Sequence, residues 1–362
     1  MFASVDKPFF YSTLVLAVGG MLILASASLA ISYQNFGTIH YYLFRQFLYG
    51  GLTGVVALLA FFAIPYRFWK KAAVPLMMIS FLLLALLFMP GLGYSAGGAR
   101  RWLQFGPLTF QPAEILKFSF IIYLASWLDS RRQEVKSISY GMIPLAIMLG
   151  SIAVFLIMQP DLGTLGVIVA SALIIYFLGG GKLSQIVTLC TLGLVSLYFL
   201  VQVAPYRLAR IFVFLNPGVD PQGAGYQISQ SLIAIGSGGF WGRGFGRGLQ
   251  KYNYLPESMG DSIFAIFSEE MGFLGAIALI ILFVYLLRRG LYIAKRAPDN
   301  FGRLLAAGIS ISIAVQVFIN IAAISGLLPL TGIPLPFISY GGTSLALILG
   351  SAGVLLNISK HA

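Results

Sequence analysis

Gly236-Ser-Gly-Gly-Phe-Trp-Gly-Arg-Gly-Phe-Gly-Arg-Gly248 lies inside residues 206–261, the one long polar interruption of an otherwise apolar chain. That interruption holds five of the 23 basic residues, Arg207, Arg210, Arg243, Arg247 and Lys251, and ends in Pro256-Glu257-Ser-Met-Gly-Asp261. On both sides of it, apolar runs of about 20 residues alternate with short links, which is the length needed to cross a hydrocarbon core. Only 9% of the 362 residues are charged and 59% are hydrophobic, whereas a soluble domain carries roughly 25% charged residues. The expectation is an all-α polytopic membrane protein. Ten transmembrane helices are predicted, over 9–32, 44–64, 72–90, 111–128, 139–158, 162–179, 183–204, 262–287, 303–326 and 336–358. The long loop, residues 205–261, falls between helices 7 and 8, and residues 1–362 read as one integral membrane domain. The first apolar run is expected to be a retained helix, because no small-residue cleavage pattern follows it.

Basic residues orient the spans. With both termini on the cytoplasmic side, 14 lysines and arginines fall in cytoplasmic segments and seven in outer loops, the usual bias. The seven outer ones, Arg100, Arg101 and the five of the long loop, run against that bias and point to a shared purpose at the outer face. The net charge of +12 therefore reflects topology rather than nucleic-acid binding. A single cysteine, Cys190, excludes a disulfide framework, and two histidines, His40 and His361, offer neither a histidine-rich zinc site nor a Ser-His-Asp triad.

Several charges stand where they are expensive. Pro112 suits the first turn of helix 4, and Glu114 and Lys117 then share a helical face one turn inside the membrane. They read either as a structural ion pair or as a wall of a polar cavity that Arg101 also faces. Asp161 in Gln159-Pro-Asp-Leu-Gly-Thr164 is either an N-cap of helix 6 or a second contributor to that cavity. Arg207 and Arg210, three apart, match phosphate oxygens or anionic headgroups. The glycine run is neither a P-loop nor a dinucleotide fingerprint. Its N–H groups, with Arg243 and Arg247, could cradle a phosphate, or the glycines could serve loop flexibility alone. If helix 8 begins near residue 257, Glu257 and Asp261 sit at i and i+4, as caps or as a general base at a cavity mouth. Glu269 and Glu270, inside span 8, need partners, and Lys117 is an alternative partner to Glu114.

Gly98-Ala-Arg-Arg-Trp102, Gln111-Pro-Ala-Glu-Ile-Leu-Lys117, Gln159-Pro-Asp-Leu-Gly-Thr164, the stretch Gln230 to Gly239, Tyr254-Leu-Pro-Glu257 with Asp261, Glu269-Glu-Met-Gly272 and Pro334-Leu-Pro-Phe-Ile-Ser-Tyr-Gly-Gly-Thr-Ser344 occur in that order. Together they resemble the SEDS family (shape, elongation, division and sporulation), the FtsW, RodA and SpoVE proteins. The resemblance implies a peptidoglycan glycosyltransferase that polymerises lipid II at the outer face of the bacterial plasma membrane. It implies that Asp261 is catalytic and that Arg101, Glu114 and Lys117 matter for function. Members commonly carry His-Thr before this aspartate and Phe-Ile-Phe after it, whereas Met259-Gly260 and Ser262-Ile-Phe264 stand here. Any role for the usual histidine therefore does not transfer. The Gln250-Lys251 pair before Leu255-Pro-Glu257 is more similar to the division branch.

The implied reaction is attack by a sugar 4-hydroxyl on the anomeric carbon of the growing lipid-linked chain, with inversion and loss of undecaprenyl pyrophosphate. Asp261 is the expected base, with Arg101, Arg207, Arg210 and Arg243 as candidate cations for the pyrophosphate and Glu114, Lys117, Asp161 and Glu257 around the substrate. No residue cluster demands a metal, although a divalent cation such as Mg2+ or Mn2+ could assist. A class B penicillin-binding protein and other division or elongation proteins are the implied partners. A lipid II flippase and a non-enzymatic scaffold are the alternatives.

Overall fold

The structure, a computed structural model, describes residues 5–96, 99–106, 108–203, 208, 212–216 and 223–361. Its helices are α1 (Lys7–Ala27), α2 (Leu29–Phe36), α3 (Tyr41–Ala63), α4 (Tyr66–Leu86), α5 (Pro112–Ser130), α6 (Ile138–Met158), α7 (Leu162–Leu178), α8 (Leu183–Val203), α9 (Ala224–Ser237), α10 (Ile263–Arg296), α11 (Asn300–Ile324) and α12 (Gly342–Ser359). Each of the ten predicted spans coincides with one of these helices. Eight are long and apolar enough to cross a membrane, so the chain is a multi-pass membrane protein. The other two are α5, which carries Glu114, Lys117 and Asp129, and the 17-residue α7.

The connection from α4 to α5 departs from an all-helical reading. It forms a small antiparallel sheet, β1 (Gly93–Ala96), β2 (Ala99–Phe105) and β3 (Leu108–Phe110), in the order β1-β2-β3. Alternating side chains there are legible as strand only once the link is too short and too polar to be a span. Residues 224–237 form α9, which packs on α10.

The helices sort by burial. α5, α11 and α12 are buried along most of their length, whereas α8 is mostly exposed to the surroundings of the bundle. The buried helices carry the small residues that let backbones approach. At the α3–α12 contact, a Cβ on Gly54 would lie 2.6 Å from Leu349, and one on Gly353 would lie 2.3 Å from the carbonyl of Leu58. In an apolar solvent close packing of this kind, rather than hydrophobicity alone, holds spans together.

One end of the bundle is basic and laced with ion pairs. Lys70 meets Asp129 at 2.5 Å, Arg67 meets Asp299 at 3.2 Å, and Arg289 pairs with Asp6. The Tyr66 hydroxyl donates to Asp299 at 2.6 Å, and Asn357 joins α12 to the start of α4. These are the segments that charge bias groups on one side. The β-sheet, the 159–161 link, Asp261 and the 326–341 loop are held together at the other end by contacts described below.

Helix α10 is broken at Gly272, whose φ of 65° and ψ of −168° belong to a region open essentially to glycine alone. A broken helix leaves carbonyls and N–H groups without partners, and this is tolerated only where the backbone is buried in protein. Here the glycine run supplies the missing partners. Arg243 N and Gly244 N donate to the carbonyls of Glu269 and Glu270, while Phe273 N and Leu274 N donate to the carbonyls of Gly239 and Phe240. A Cβ on Gly272 would lie 2.2 Å from the Gly242 nitrogen. Gly272→Ala is therefore expected to cost about 2–3 kcal/mol, from the forced dihedral and the overlap. Thermal unfolding in detergent reads this directly, and an unchanged midpoint would contradict the described break.

Candidate active site

Asp261 precedes α10 and does not belong to it. The helix starts at Ile263, so Glu257 and Asp261 lie in consecutive turns rather than at i and i+4 of a helix, and the capping expectation for this pair fails for that reason. Three elements clamp the aspartate. From α9, the Gln227 amide donates to Asp261 Oδ1 at 3.2 Å and to Ser262 Oγ at 3.0 Å. From α11, the Asn320 amide donates to the Asp261 carbonyl at 2.8 Å and to the Ile333 carbonyl at 2.7 Å. From the last loop, Ser339 Oγ donates to the Gly260 carbonyl at 2.6 Å, and Tyr340 N donates to the Met259 carbonyl at 2.8 Å. A Cβ on Gly332 would approach Asp261 Oδ2 to 4.0 Å, so this loop also lies beside the carboxylate.

Removal from water raises the proton affinity of the Asp261 carboxyl, and the neighbouring Glu257 carboxylate raises it further. The bonds from Gln227 and Ser262 oppose this, and the balance pushes the group up to about 6 from 3.8. Glu257 is exposed and sits at a φ of 51°, unusual for a residue with a side chain. Its carbonyl accepts from Gly260 N and Ser262 N, which closes the turn, and a Cβ on residue 260 would lie 2.9 Å from Glu257 Oε2. Glycine at 260 thus keeps the acidic side chain beside the turn that carries Asp261.

Glu114 and Lys117 pair on one buried face of α5, with Nζ to Oε1 at 2.7 Å. Lys117 also donates to Gln316 Oε1 at 2.6 Å, and the Gln316 amide donates to the Pro334 carbonyl at 2.9 Å. The charged pair therefore reaches the 333–340 loop through α11. Gln316 and Asn320 stand one turn apart on α11 and grip successive carbonyls of that loop. Sequence reasoning missed both, and also Gln227 and Ser339. The available signal was the cost of two buried carboxamides at i and i+4 within a span.

Asp161 caps α7, accepting from Thr164 N at 3.2 Å and Thr164 Oγ1 at 2.9 Å. The start of α7 also touches the last loop, since a Cβ on Gly163 would lie 2.7 Å from the Thr331 carbonyl. Arg101 is drawn to the same link. Its guanidinium donates to the carbonyls of Gln159 and Pro160, so it fastens the β-sheet to the start of α7. The Gln159 side chain beside it is buried, with neither its oxygen nor its nitrogen hydrogen-bonded within the protein.

The glycine run does not cradle an external phosphate, because its donors are already used. Gly246 N and Gly248 N point to the Glu270 carboxylate, and Leu249 N and Gln250 N point to that of Glu269. Lys251, buried, binds Glu270 Oε1 at 2.6 Å and Ser26 Oγ at 2.8 Å. The two acids inside span 8 thus find their partners in the loop, and Lys117 is not one of them. Arg243 belongs to this arrangement. Its Nε donates to the Ser237 carbonyl and lies 3.6 Å from Glu269 Oε1. Arg207 and Arg210 lie outside the described residues.

Residues 7–362 match the family model described as "Cell cycle protein", which groups FtsW, RodA and SpoVE. The chain belongs to this family. Stage V sporulation protein E of Bacillus subtilis (strain 168) is 42% identical over 350 residues, covering 97% of this chain and 95% of that protein. A probable peptidoglycan glycosyltransferase FtsW of Geobacter sp. (strain M18) is 40% identical over 347 residues, covering 96% and 94%. Among solved structures, the rod shape determining protein RodA of Thermus thermophilus superposes with a TM-score of 0.73 at 26% identity, covering 99% of this chain and 97% of that one. A chain from a peptidoglycan synthase complex, described as coordinating polymerization and crosslinking, superposes with a TM-score of 0.80, also at 26% identity, covering 99% and 98%. An FtsW/RodA/SpoVE fold therefore extends over essentially the whole molecule, and the elements that clamp Asp261 all belong to it.

Proposed function

We propose that the chain is a peptidoglycan glycosyltransferase that polymerises lipid II at the outer face of the plasma membrane, with Asp261 as the general base. The carrying observation is a partly buried carboxylate with a proton affinity near the working pH, clamped from α9, α11 and the last loop. A base works best when its pKa lies close to ambient pH, and immobile hydrogen-bond partners keep it in register with the hydroxyl it serves. Asp261 takes the proton of the attacking sugar 4-hydroxyl as that oxygen bonds to the anomeric carbon. The bond to undecaprenyl pyrophosphate breaks in the same step, and the pyrophosphate leaves with the electron pair. Glu114, Lys117 and Asp161 brace the 326–341 loop beside Asp261, the first two through Gln316 and the last at the start of α7. Arg101 fastens the β-sheet to the start of α7 and supplies positive charge to the leaving pyrophosphate. Arg243 supports the loop from outside this cluster.

Relatives named as probable peptidoglycan glycosyltransferases favour this reading over a flippase or a scaffold. Relatives named FtsW and stage V sporulation protein E, together with Gln250-Lys251 before Leu255-Pro-Glu257, favour a division-type role over elongation. The likeness to a chain of a complex that coordinates polymerization and crosslinking favours a transpeptidase partner of the class B penicillin-binding type. The test is glycan-strand formation from lipid II by the purified chain reconstituted with that partner in vesicles. Complete failure of the complex to polymerise sinks the enzymatic reading.

The acid limb of the pH–rate profile tests the base. A base is active when deprotonated, so the rate should fall as pH drops through about 6. Glu257→Gln removes one of the two causes that raise the Asp261 group. Its acid limb should move down toward the ordinary aspartate range, with the rate at neutral pH changed far less than by loss of Asp261 itself. A limb that stays in place in the variant would remove Glu257 from the electrostatics of the site.

A further inference from the structure

At the basic end of the bundle, two adjoining cavities open between the first turns of α1 and the second half of α10. One, of about 450 Å3, is lined mainly by apolar and aromatic side chains, Tyr11, Val15, Leu282 and Tyr285, and has Lys7 at its helix-end side. The other, of about 340 Å3, also includes Lys7 and adds Asp6, Arg289, Tyr292 and Arg296. Joined through Lys7 and Pro8, they make one slot that is cationic at the helix ends and apolar along the spans.

The cationic part is unbalanced. Arg289 and Arg296 both stand 4.5 Å from the centre of the Tyr292 ring, so two like charges share one aromatic partner. Asp6 neutralises Arg289, with Oδ1 to Nε at 3.2 Å. No acid among the described residues pairs with Lys7 or Arg296, and both are exposed. Three cations thus face one carboxylate at the mouth of a groove whose floor continues into the hydrocarbon region.

We propose that this slot binds one anionic phospholipid of the leaflet at the basic end. Its phosphate lies between Lys7 and Arg296, and an acyl chain follows Tyr11, Val15 and Leu282. Charge complementarity selects an anionic over a zwitterionic headgroup, since each basic residue near such a surface adds to the attraction. The apolar floor selects a lipid over a soluble anion, because a free phosphate gains nothing from Val15 and Leu282. The site is independent of the chemistry at Asp261, which lies at the opposite end.

Native mass spectrometry of the full-length chain, loaded with equal phosphatidylglycerol and phosphatidylcholine of the same acyl chains, tests the proposal. The expected result is retention of one phosphatidylglycerol in preference to phosphatidylcholine. Retention should fall about ten-fold or more in Lys7→Gln/Arg296→Gln, from the loss of two surface cations. Leu282→Trp, which fills the apolar floor and leaves every cation in place, should lower it as well. Equal retention of the two lipids, undiminished retention in the charge variant, or no retained lipid overturns the proposal. Displacement of the lipid by millimolar inorganic phosphate overturns it too, in favour of a free-anion site. Both charge substitutions are at exposed positions without acidic partners, so folding is preserved, and the thermal midpoint in detergent verifies this for each variant.

Discussion

Asp261→Asn will lower glycan-strand formation by at least about 100-fold, the scale of a lost general base, without lowering the stability of the protein. The substitution keeps the shape of the side chain and its contact with Gln227, and it leaves the backbone bonds from Asn320, Ser339 and Tyr340 in place. It removes only the ability to take a proton. The stability side follows from linkage. A carboxyl whose folded-state proton affinity is raised, here to about 6 from 3.8, stabilises the fold while protonated, and that contribution is lost as pH rises through the folded value. At neutral pH the charged Asp261 is therefore a cost carried for function, and the amide should melt at the same temperature as the wild type or slightly higher. Strand formation at wild-type rates by Asp261→Asn would exclude Asp261 as the base. A large drop in melting temperature would instead make its role structural.

Lys251→Met is expected to destabilise the protein by about 3–5 kcal/mol, the cost of removing one partner from a buried ion pair. Lys251 spends its three donors on Glu270 Oε1 at 2.6 Å, the Gly246 carbonyl at 2.7 Å and Ser26 Oγ at 2.8 Å. Methionine fills the space and leaves Glu270 a buried anion with only neutral donors around it. Adding Glu270→Leu should restore part of the loss, because no uncompensated charge remains. Recovery should be incomplete, since Gly246 N and Gly248 N then lose their acceptor. The pattern is read from thermal midpoints of the two single variants and the double variant. Full recovery in the double variant would mean that the carboxylate does not organise the glycine run. Because this run leads directly into the 252–261 turns, Lys251→Met should also reduce polymerisation even at temperatures where the protein stays folded.

The positions of the spans were legible in the sequence because apolar runs of membrane length have few other uses. Glu114–Lys117 was legible as a pair because residues three apart on a helix share a face and a lone charge at that depth is costly. The cap at Asp161 was legible as one of two readings, and the carboxylate does accept from Thr164 at the start of α7. The small sheet at 93–110 was not read, because three short strands in a link carry little periodicity.

What sequence alone could not decide were partners distant along the chain. It showed that Glu269 and Glu270 need partners, but nothing local marks the backbone N–H groups of Gly246, Gly248, Leu249 and Gln250 as the donors. It likewise counted Lys251 only as one of the basic residues of the outer loops, whereas the fold buries it on Glu270 and Ser26. The glycine run therefore changes from a flexible loop with donors for a ligand into the seam that closes a broken helix. Hydropathy and helical spacing determined where the spans lie, because each span satisfies its own backbone within about 20 residues. Only tertiary packing decided which side chains surround Asp261. Gln227, Asn320 and Ser339 come from three segments whose spacing in sequence carries no distance information, and their amides and hydroxyl gain specific partners only after α9, α11 and the last loop have docked.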